Sequence, residues 1–533
     1  MKYRITFFEM PTVHLTDQKN NAITPLRVKD PKLTQIQLAG NLRQSLPTKK
    51  IDSVIKFVDM VLLDPTNKIL ADTLKYGDKT IRIWRYGASF ERVEHIIKDS
   101  DIVCITANFT AYARIIKDFI QWAKGKNPKI EIIIGGTDAT HRPEFYLKSG
   151  SDFVVLGEGE IILHNLIEAI VKQKNTDNVS GIAFIKHGNV IVNKKTDSDT
   201  PQLDKLAFPA LDLIDSNAYS ESSDGAFPDG VKTPIALIET SRGCNQRCSF
   251  CASCRTKGKY RYISSQRITQ LLVHYKEHGI NTLLITDDSI LSRLDSPNGR
   301  QDVITLFQTM REMGFAWELF NGVEISRLFN KDKNPDQDLI NALFSHEIHD
   351  NQLIGCYRAY LPLESVRNDT PLKISKFHFF KHDNQLLDFE LEKKIIVEIL
   401  KRHIPMIELG LIICTPDEDL PYMELTCQRA LEVKTLIKDE NEKSPHTATQ
   451  ICFHIFADIL LPGTPDYEKN RNRQAFSYDD YPELVNFTTS VINGDNFSFN
   501  EMFVIREKVF EKINGKEVFE EFKKSGKYIY HYP

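Results

Sequence analysis

The chain has 533 residues, 41% hydrophobic and 26% charged, with 68 basic residues against 72 acidic ones and a formal net charge of -4. That length accommodates about three or four domains at ~150 residues each, and the composition is that of a globular protein with apolar material for several cores. The near-neutral balance argues against a nucleic-acid footprint, and no run reaches the ~18 consecutive apolar residues of a membrane-spanning helix.

Lys2 to Phe8 reads as a short buried strand, and Glu9 follows before a secretory signal core could form. Thr80 to Trp84, Ile102 to Ile105, Ile130 to Ile134 and Phe153 to Leu156 read as further strands. Between them, Phe90 to Ile97 and Ala113 to Trp122 carry apolar residues at three- and four-residue steps, the period of an amphipathic helix. Alternating strands and helices predict a parallel, doubly wound sheet, which binds ligands beyond the carboxyl ends of its strands. Glycines fall at those ends: Gly135 and Gly136 after one strand, Gly157 and Gly159 after the next. Ordinary strand-to-helix turns would carry the same glycines.

Gly181 to Val192 reads as a hairpin, and 195–234 as an irregular connector. A second α/β series begins at Ile235 to Ile238. Strands follow at Thr282 to Thr286, Trp317 to Gly322, 359–363, 407–413 and 451–456, with helices over Ile268 to Tyr275 and Val303 to Met313. Six such repeats predict a partial (β/α)6 barrel, whose site also sits at the carboxyl ends of the strands. After about 457 the pattern changes, and the remainder reads as mostly helical and polar. The expected division is therefore 1–200, a linker over 201–234, a barrel over 235–456 and a covering segment over 457–533.

Four of the nine cysteines lie between 244 and 254. In a reducing compartment such clustering points to metal or catalysis and not to disulfides, so the expected location is cytoplasmic. Cys244, Cys248 and Cys251 share one short loop, and three thiolates hold three irons of a cubane while the fourth keeps an open position. Adding Cys254 gives two other readings, a closed four-cysteine cluster or a structural zinc site. The zinc reading would make the chain a metal-stabilised interaction protein and not an enzyme.

The Cys-x3-Cys-x2-Cys spacing, with Phe250 before the third cysteine, resembles the radical S-adenosylmethionine (SAM) superfamily. The longer string Glu239 to Cys251 resembles its cobalamin-binding branch. Lys259 to Ser264, Asp287-Asp288, Asn321 to Glu324, Leu363 to Ser365 and Leu461 to Pro465 extend that likeness. Upstream, Ile134 to Gly136, Pro143-Glu144 and Leu156 to Glu160 look like the branch's cobalamin domain.

The resemblance implies an α/β chain with a Rossmann-like cobalamin-binding domain, a central partial radical SAM barrel and a mostly helical C-terminal segment. It implies a [4Fe–4S] cluster on Cys244, Cys248 and Cys251. Phe250, Asp288, Glu324 and Glu364 are the expected SAM contacts. Thr106, Asn108, Gly135, Gly136, Gly157 and Glu158 are the expected cobalamin contacts. The Asp-x-His-x-x-Gly motif of many cobalamin proteins is missing, and His14 and His141 are expected at surface or capping positions. The implied activity is transfer of a cobalamin-borne methyl group to an unactivated carbon of a natural-product or peptide substrate. The hydrogen is first removed by a 5′-deoxyadenosyl radical, and an external electron donor such as flavodoxin or ferredoxin supplies the electron. A cobalamin-dependent rearrangement or cyclisation without methylation is the alternative. Cys356 is expected to be a buried free thiol.

Overall fold

A computed structural model describes residues 2–219, 227–364 and 388–533. The first half of the chain forms β1 (Tyr3–Glu9), β2 (Thr12–Asp17), β3 (Ser53–Asp59), β4 (Lys68–Tyr76), β5 (Lys79–Tyr86), β6 (Ile102–Thr106), β7 (Glu131–Gly135), β8 (Phe153–Val155), β9 (Ile182–Lys186) and β10 (Asn189–Val192). The second half forms β11 (Ile235–Ile238), β12 (Ser241–Arg242), β13 (Arg261–Tyr262), β14 (Thr282–Ile285), β15 (Ala316–Leu319), β16 (His346–His349), β17 (Gln352–Glu364), β18 (Met406–Ile413) and β19 (Gln450–Ala457).

The N-terminal sheet has the order β10-β9-β8-β7-β6-β1-β3. Its five strands β8, β7, β6, β1 and β3 are parallel, and β9 and β10 add an antiparallel edge. Helices cover both faces, so the inner strands are apolar throughout and not alternating. Along β6, Val103 and Ile105 enter the core around Phe119, while Ile102 and Cys104 enter the core around Leu166.

Thr80 to Trp84, expected as a parallel strand of this sheet, lies instead in β5, the centre of an antiparallel sheet ordered β2-β5-β4. Its true parallel counterpart is β3. The small sheet turns toward the C-terminal region. Tyr76 is fully buried there, its hydroxyl donating to the Ser490 carbonyl at 2.6 Å and its ring stacked on Phe476.

The second large sheet runs β11-β14-β15-β17-β18-β19, six parallel strands. This is the expected partial barrel; among the described residues its edges β11 and β19 do not pair. The interior at its amino end is polar. Arg358 is fully buried and binds Glu318 at 2.6 Å, with Glu408 at 3.5 Å. Tyr357 also donates to Glu318, at 2.5 Å. Tyr530, from the C-terminal tail, closes this layer by donating to Glu408, and Tyr528 stacks on His454 at 4.1 Å.

The segment after 457 is less helical than its sequence implies. It has helices over Pro465–Asn470, Phe499–Asn514 and Lys516–Ser525, but 471–498 is built of turns that bury Thr488, Thr489 and Ser490. It also spans the two halves: Arg142 pairs with Asp479 at 2.5 Å and Arg114 with Glu483 at 3.0 Å. No helix among the described residues is long and apolar enough to cross a membrane.

Removing one partner of a buried ion pair leaves the other charge stranded and costs about 3–5 kcal/mol. Arg358→Ala, which strands Glu318, is therefore expected to lower the thermal unfolding midpoint clearly. An unchanged midpoint would show that the interior layer does not stabilise the barrel.

Candidate cofactor sites at the seam between the two sheets

The cysteine loop leaves β11 at Glu239 and is pinned at once. Asp287, just past β14, accepts hydrogen bonds from the Thr240 N–H, the Thr240 hydroxyl and the Ser241 hydroxyl at 2.5–2.6 Å. Burial nevertheless pushes its carboxyl up to about 6. Ser241–Arg242 pairs with Arg261–Tyr262, closing the loop at its base. Gly243 sits at φ +79°, and a Cβ there would lie 2.7 Å from the Gly258 carbonyl oxygen. Only glycine fits between the outgoing and returning strands.

Cys244, Cys248 and Cys251 follow on this loop, with Cys248 buried and the other two half-buried. The Gln246 N–H donates to Cys244 Sγ at 3.4 Å, and the Cys251 N–H to the Cys248 carbonyl at 3.3 Å. Cys254 stands on the short helix Ser253–Lys257 that ends the loop. Among the described residues, no three His, Cys, Asp or Glu side chains already converge as a metal-ligating set. The donor chemistry nonetheless fits an iron–sulfur cluster. Burial, with the charges of Glu324 and Cys251 nearby, pushes the Cys244 thiol up to about 11. A thiol in that state becomes a thiolate ligand only when a cation replaces its proton.

Of the expected SAM contacts, Asp288 and Glu324 border this loop. Asp288 accepts from the Gly243 N–H at 2.9 Å and pairs with Lys257 at 3.1 Å. Glu324 accepts from Gln246 Nε2 at 2.7 Å and from the Ser289 hydroxyl at 3.3 Å. Phe250 is half-buried on the loop itself. Glu364 is buried at the carboxyl end of β17, and its neighbour Ser365 lies outside the described residues.

The expected cobalamin contacts gather along the carboxyl ends of β6, β7 and β8. Thr106 and Gly135 end their strands, Asn108 is exposed, and its side-chain oxygen accepts from the Thr137 N–H at 3.3 Å. Gly136, at φ +104°, approaches the Ala107 carbonyl so closely that a Cβ would meet it at 2.6 Å. Gly157, at φ +75°, faces the Thr256 carbonyl of the cysteine-loop helix, 3.3 Å from where a Cβ would sit. Both glycines are thus required by the chain's own close packing at the strand ends, with Lys195 Nζ also 2.8 Å from a Cβ at Gly157. Phe109 stands on the same ridge with 52% of its surface exposed, a ligand-facing candidate that no motif marks.

Glu158, the last of the expected cobalamin contacts, lies at the seam between the sheets and is buried. It precedes the helix Gly159–Val171, and its carboxylate is taken up by Arg242 at 3.0 Å and Arg261 at 2.5 Å. Arg242 also binds Glu160 and Glu239, both at 2.6 Å, and Lys257 binds Glu239 at 2.9 Å. Burial pushes the Glu239 carboxyl up, but Arg242 and Lys257 more than reverse this and hold it at about 2. The seam continues at His141, whose Nε2 lies 3.1 Å from the Thr256 hydroxyl. Gly463 packs on the other side of the same ring. His14 is buried, not on the surface, beside Thr24 at 3.2 Å. Cys356 is fully buried within β17.

Two outcomes follow from this geometry. Cys251→Ala is expected to lose cluster iron after anaerobic reconstitution, whereas Cys254→Ala keeps it; equal loss in both would refute the three-ligand set. Arg242→Met is expected to speed hydrogen exchange at 157–160 and 241–243, because three carboxylates lose their shared cation. The Glu239 part of this protection is full above pH ~4.5 and is lost as pH falls toward about 2, the sign set by a depressed carboxyl. Exchange indifferent to both changes would mean the seam is held elsewhere.

Residues 67–167 match the B12 binding domain family. An uncharacterized methyltransferase of Pyrococcus horikoshii is 29% identical over 229 residues, 38% of this chain and 48% of that protein. Cytidylyl-2-hydroxyethylphosphonate methyltransferase of Streptomyces wedmorensis is 27% identical over 306 residues, 53% of each. The chain thus spans about half the length of these curated relatives. Among solved structures, the radical SAM methyltransferase TsrM of Kitasatospora setae, with cobalamin and a [4Fe–4S] cluster bound, superposes with a TM-score of 0.54. It is 13% identical, and the match covers 89% of this chain and 78% of that one. This chain contains a B12-binding domain and has the fold of the cobalamin-dependent radical SAM enzymes.

Proposed function

We propose that the protein is a cobalamin-dependent radical SAM methyltransferase acting on an unactivated carbon. The observation that carries this reading is the seam. The three-cysteine loop and the glycine ridge of the B12-binding domain meet carboxyl end to carboxyl end, locked by Arg242 on Glu158 and Glu160 at 2.6–3.0 Å. Two cofactors held there would face a single chamber. When bound, the cluster and SAM supply a carbon-centred radical, and cobalamin supplies the methyl group.

The chain's own residues supply position and exclusion. Cys244, Cys248 and Cys251 would hold the cluster. Asp288, Glu324 and Glu364 would border SAM beside Phe250. Thr106, Asn108, Gly135, Gly136 and Gly157 would offer backbone and small side chains to the corrin, with Glu158 beside them. The Leu461–Asp466 turn, packed between His141 and the cysteine loop, would keep water from the radical. Asp466 fixes this cover, because its carboxylate accepts from the Ser249 hydroxyl at 2.8 Å. A natural-product or peptide substrate is the reading for the chamber, with a flavodoxin- or ferredoxin-like protein as electron donor. Nine free cysteines suit the reducing cytoplasm in which such donors work.

The test is anaerobic turnover with candidate substrates. The expected product is heavier by one methyl group, with S-adenosylhomocysteine and 5′-deoxyadenosine formed in equal amounts. A product of unchanged carbon count, with 5′-deoxyadenosine alone, would replace methylation by rearrangement or cyclisation. Zinc in place of iron, without cluster absorbance, would exclude both.

A further inference from the structure

Asp458 follows β19 at its carboxyl end, and its N–H donates to the Ile413 carbonyl at 2.7 Å, continuing the parallel ladder. Side chains two apart on a strand share a face, so Asp458 points as Phe456 and His454 do. Those two rings lie 6.4 Å from that of Tyr360 on β17. The contact passes over β18 at Gly410, where a Cβ would lie 1.9 Å from Tyr360 Oη. A contact that spans an intervening strand marks the concave face. Asp458 therefore points into the barrel interior at its open end.

Its surroundings are unusual for a carboxylate. Asp458 is only 5% exposed, and among the described residues its side chain makes no hydrogen bond or ion pair. Burying an ionisable group without a partner is costly. Two more carboxylates, Asp466 and Asp417, act on it electrostatically and deepen the cost. Asp466 ties this acidic mouth to the cysteine loop through Ser249. Phe456 and Phe487, 5.4 Å apart, give the mouth an apolar wall, with Phe487 44% exposed.

We propose that Asp458 anchors a positively charged nitrogen of the substrate, an alkylammonium or amidinium group, inside the barrel mouth. Asp466 and Asp417 supply the negative field that admits the cation and repels anionic competitors. This rests on the radical SAM reading, which makes the mouth a substrate chamber. SAM also carries an ammonium group, so the two sources are separated by experiment.

The probe is benzylammonium, with benzyl alcohol as its neutral match. Binding to the 533-residue chain reconstituted with iron, sulfide and cobalamin is followed by calorimetry. The wild type is expected to bind benzylammonium saturably and the alcohol at least about tenfold more weakly, the value of one charge-assisted hydrogen bond. Asp458→Asn is expected to erase that difference, and Asp458→Glu to keep most of it. SAM binding is expected to be the same in all three proteins. No preference for the ammonium in the wild type overturns the proposal, and so does an undiminished preference in Asp458→Asn. Loss of SAM binding in Asp458→Asn also overturns it, by assigning the carboxylate to SAM. Should Asp458→Asn not fold, the wild-type preference for ammonium over alcohol decides. Cluster and corrinoid absorbance are read on the same samples: their absence in the wild type counts against the radical SAM reading, separately from these outcomes.

Discussion

Everything about this molecule's proposed chemistry depends on one buried guanidinium. Arg242 stands two residues before the first cysteine and binds Glu239 on its own segment together with Glu158 and Glu160 of the B12-binding domain. A single cation shared by three carboxylates is a strong geometric constraint, because planar guanidinium forks accept partners only along fixed directions. Lys257 and Arg261 complete the charge balance from the same loop. The network fixes how the glycine ridge sits over the cysteine loop. Beside it, the two halves also meet where His141 lies against Thr256 and through the C-terminal segment.

The way the chain is folded places chemistry where parallel sheets always place it, at the carboxyl ends of strands. What is particular here is that two such ends confront each other. The small antiparallel sheet and the turns of 471–498 fill the sides of that confrontation. Tyr76 is held against Phe476 and the Ser490 carbonyl, and Arg114 against Glu483. The barrel's other end is sealed by Tyr528 and Tyr530 over His454 and Glu408. The cysteine loop, the glycines and Asp458 lie at the opposite end.

Much of this is legible from residues alone, and the exceptions have physical reasons. β6, β7 and β8 stand out because strands buried on both faces are continuously apolar. β3 does not, since the exposed Lys56 interrupts it. β5 shows an apolar run that looks like its parallel neighbours, yet the half-buried Thr80, Arg82 and Trp84 alternate with the buried Ile81 and Ile83 as in a sheet open on one face. The cysteine spacing marks the loop. The glycines mark the opposing ridge, whereas the pairing of Glu158 with Arg242 is invisible because the two are 84 positions apart in sequence. Asp458 is silent for a similar reason: an acid after a strand is ordinary, and only the fold reveals that it is buried without a partner among the described residues. The last stretch misleads because buried threonines and serines in tight turns carry the same polarity as exposed helix.

The central claim is that the cluster and the corrin share one chamber. Electron paramagnetic resonance of the anaerobically reconstituted protein tests it directly, with the cluster reduced and the cobalamin held in its cob(II)alamin state. Face-to-face sheets predict a magnetic interaction between the two spins, seen as broadening or splitting absent from samples holding either cofactor alone. Two signals that simply add, each identical to its single-cofactor control, would contradict the account.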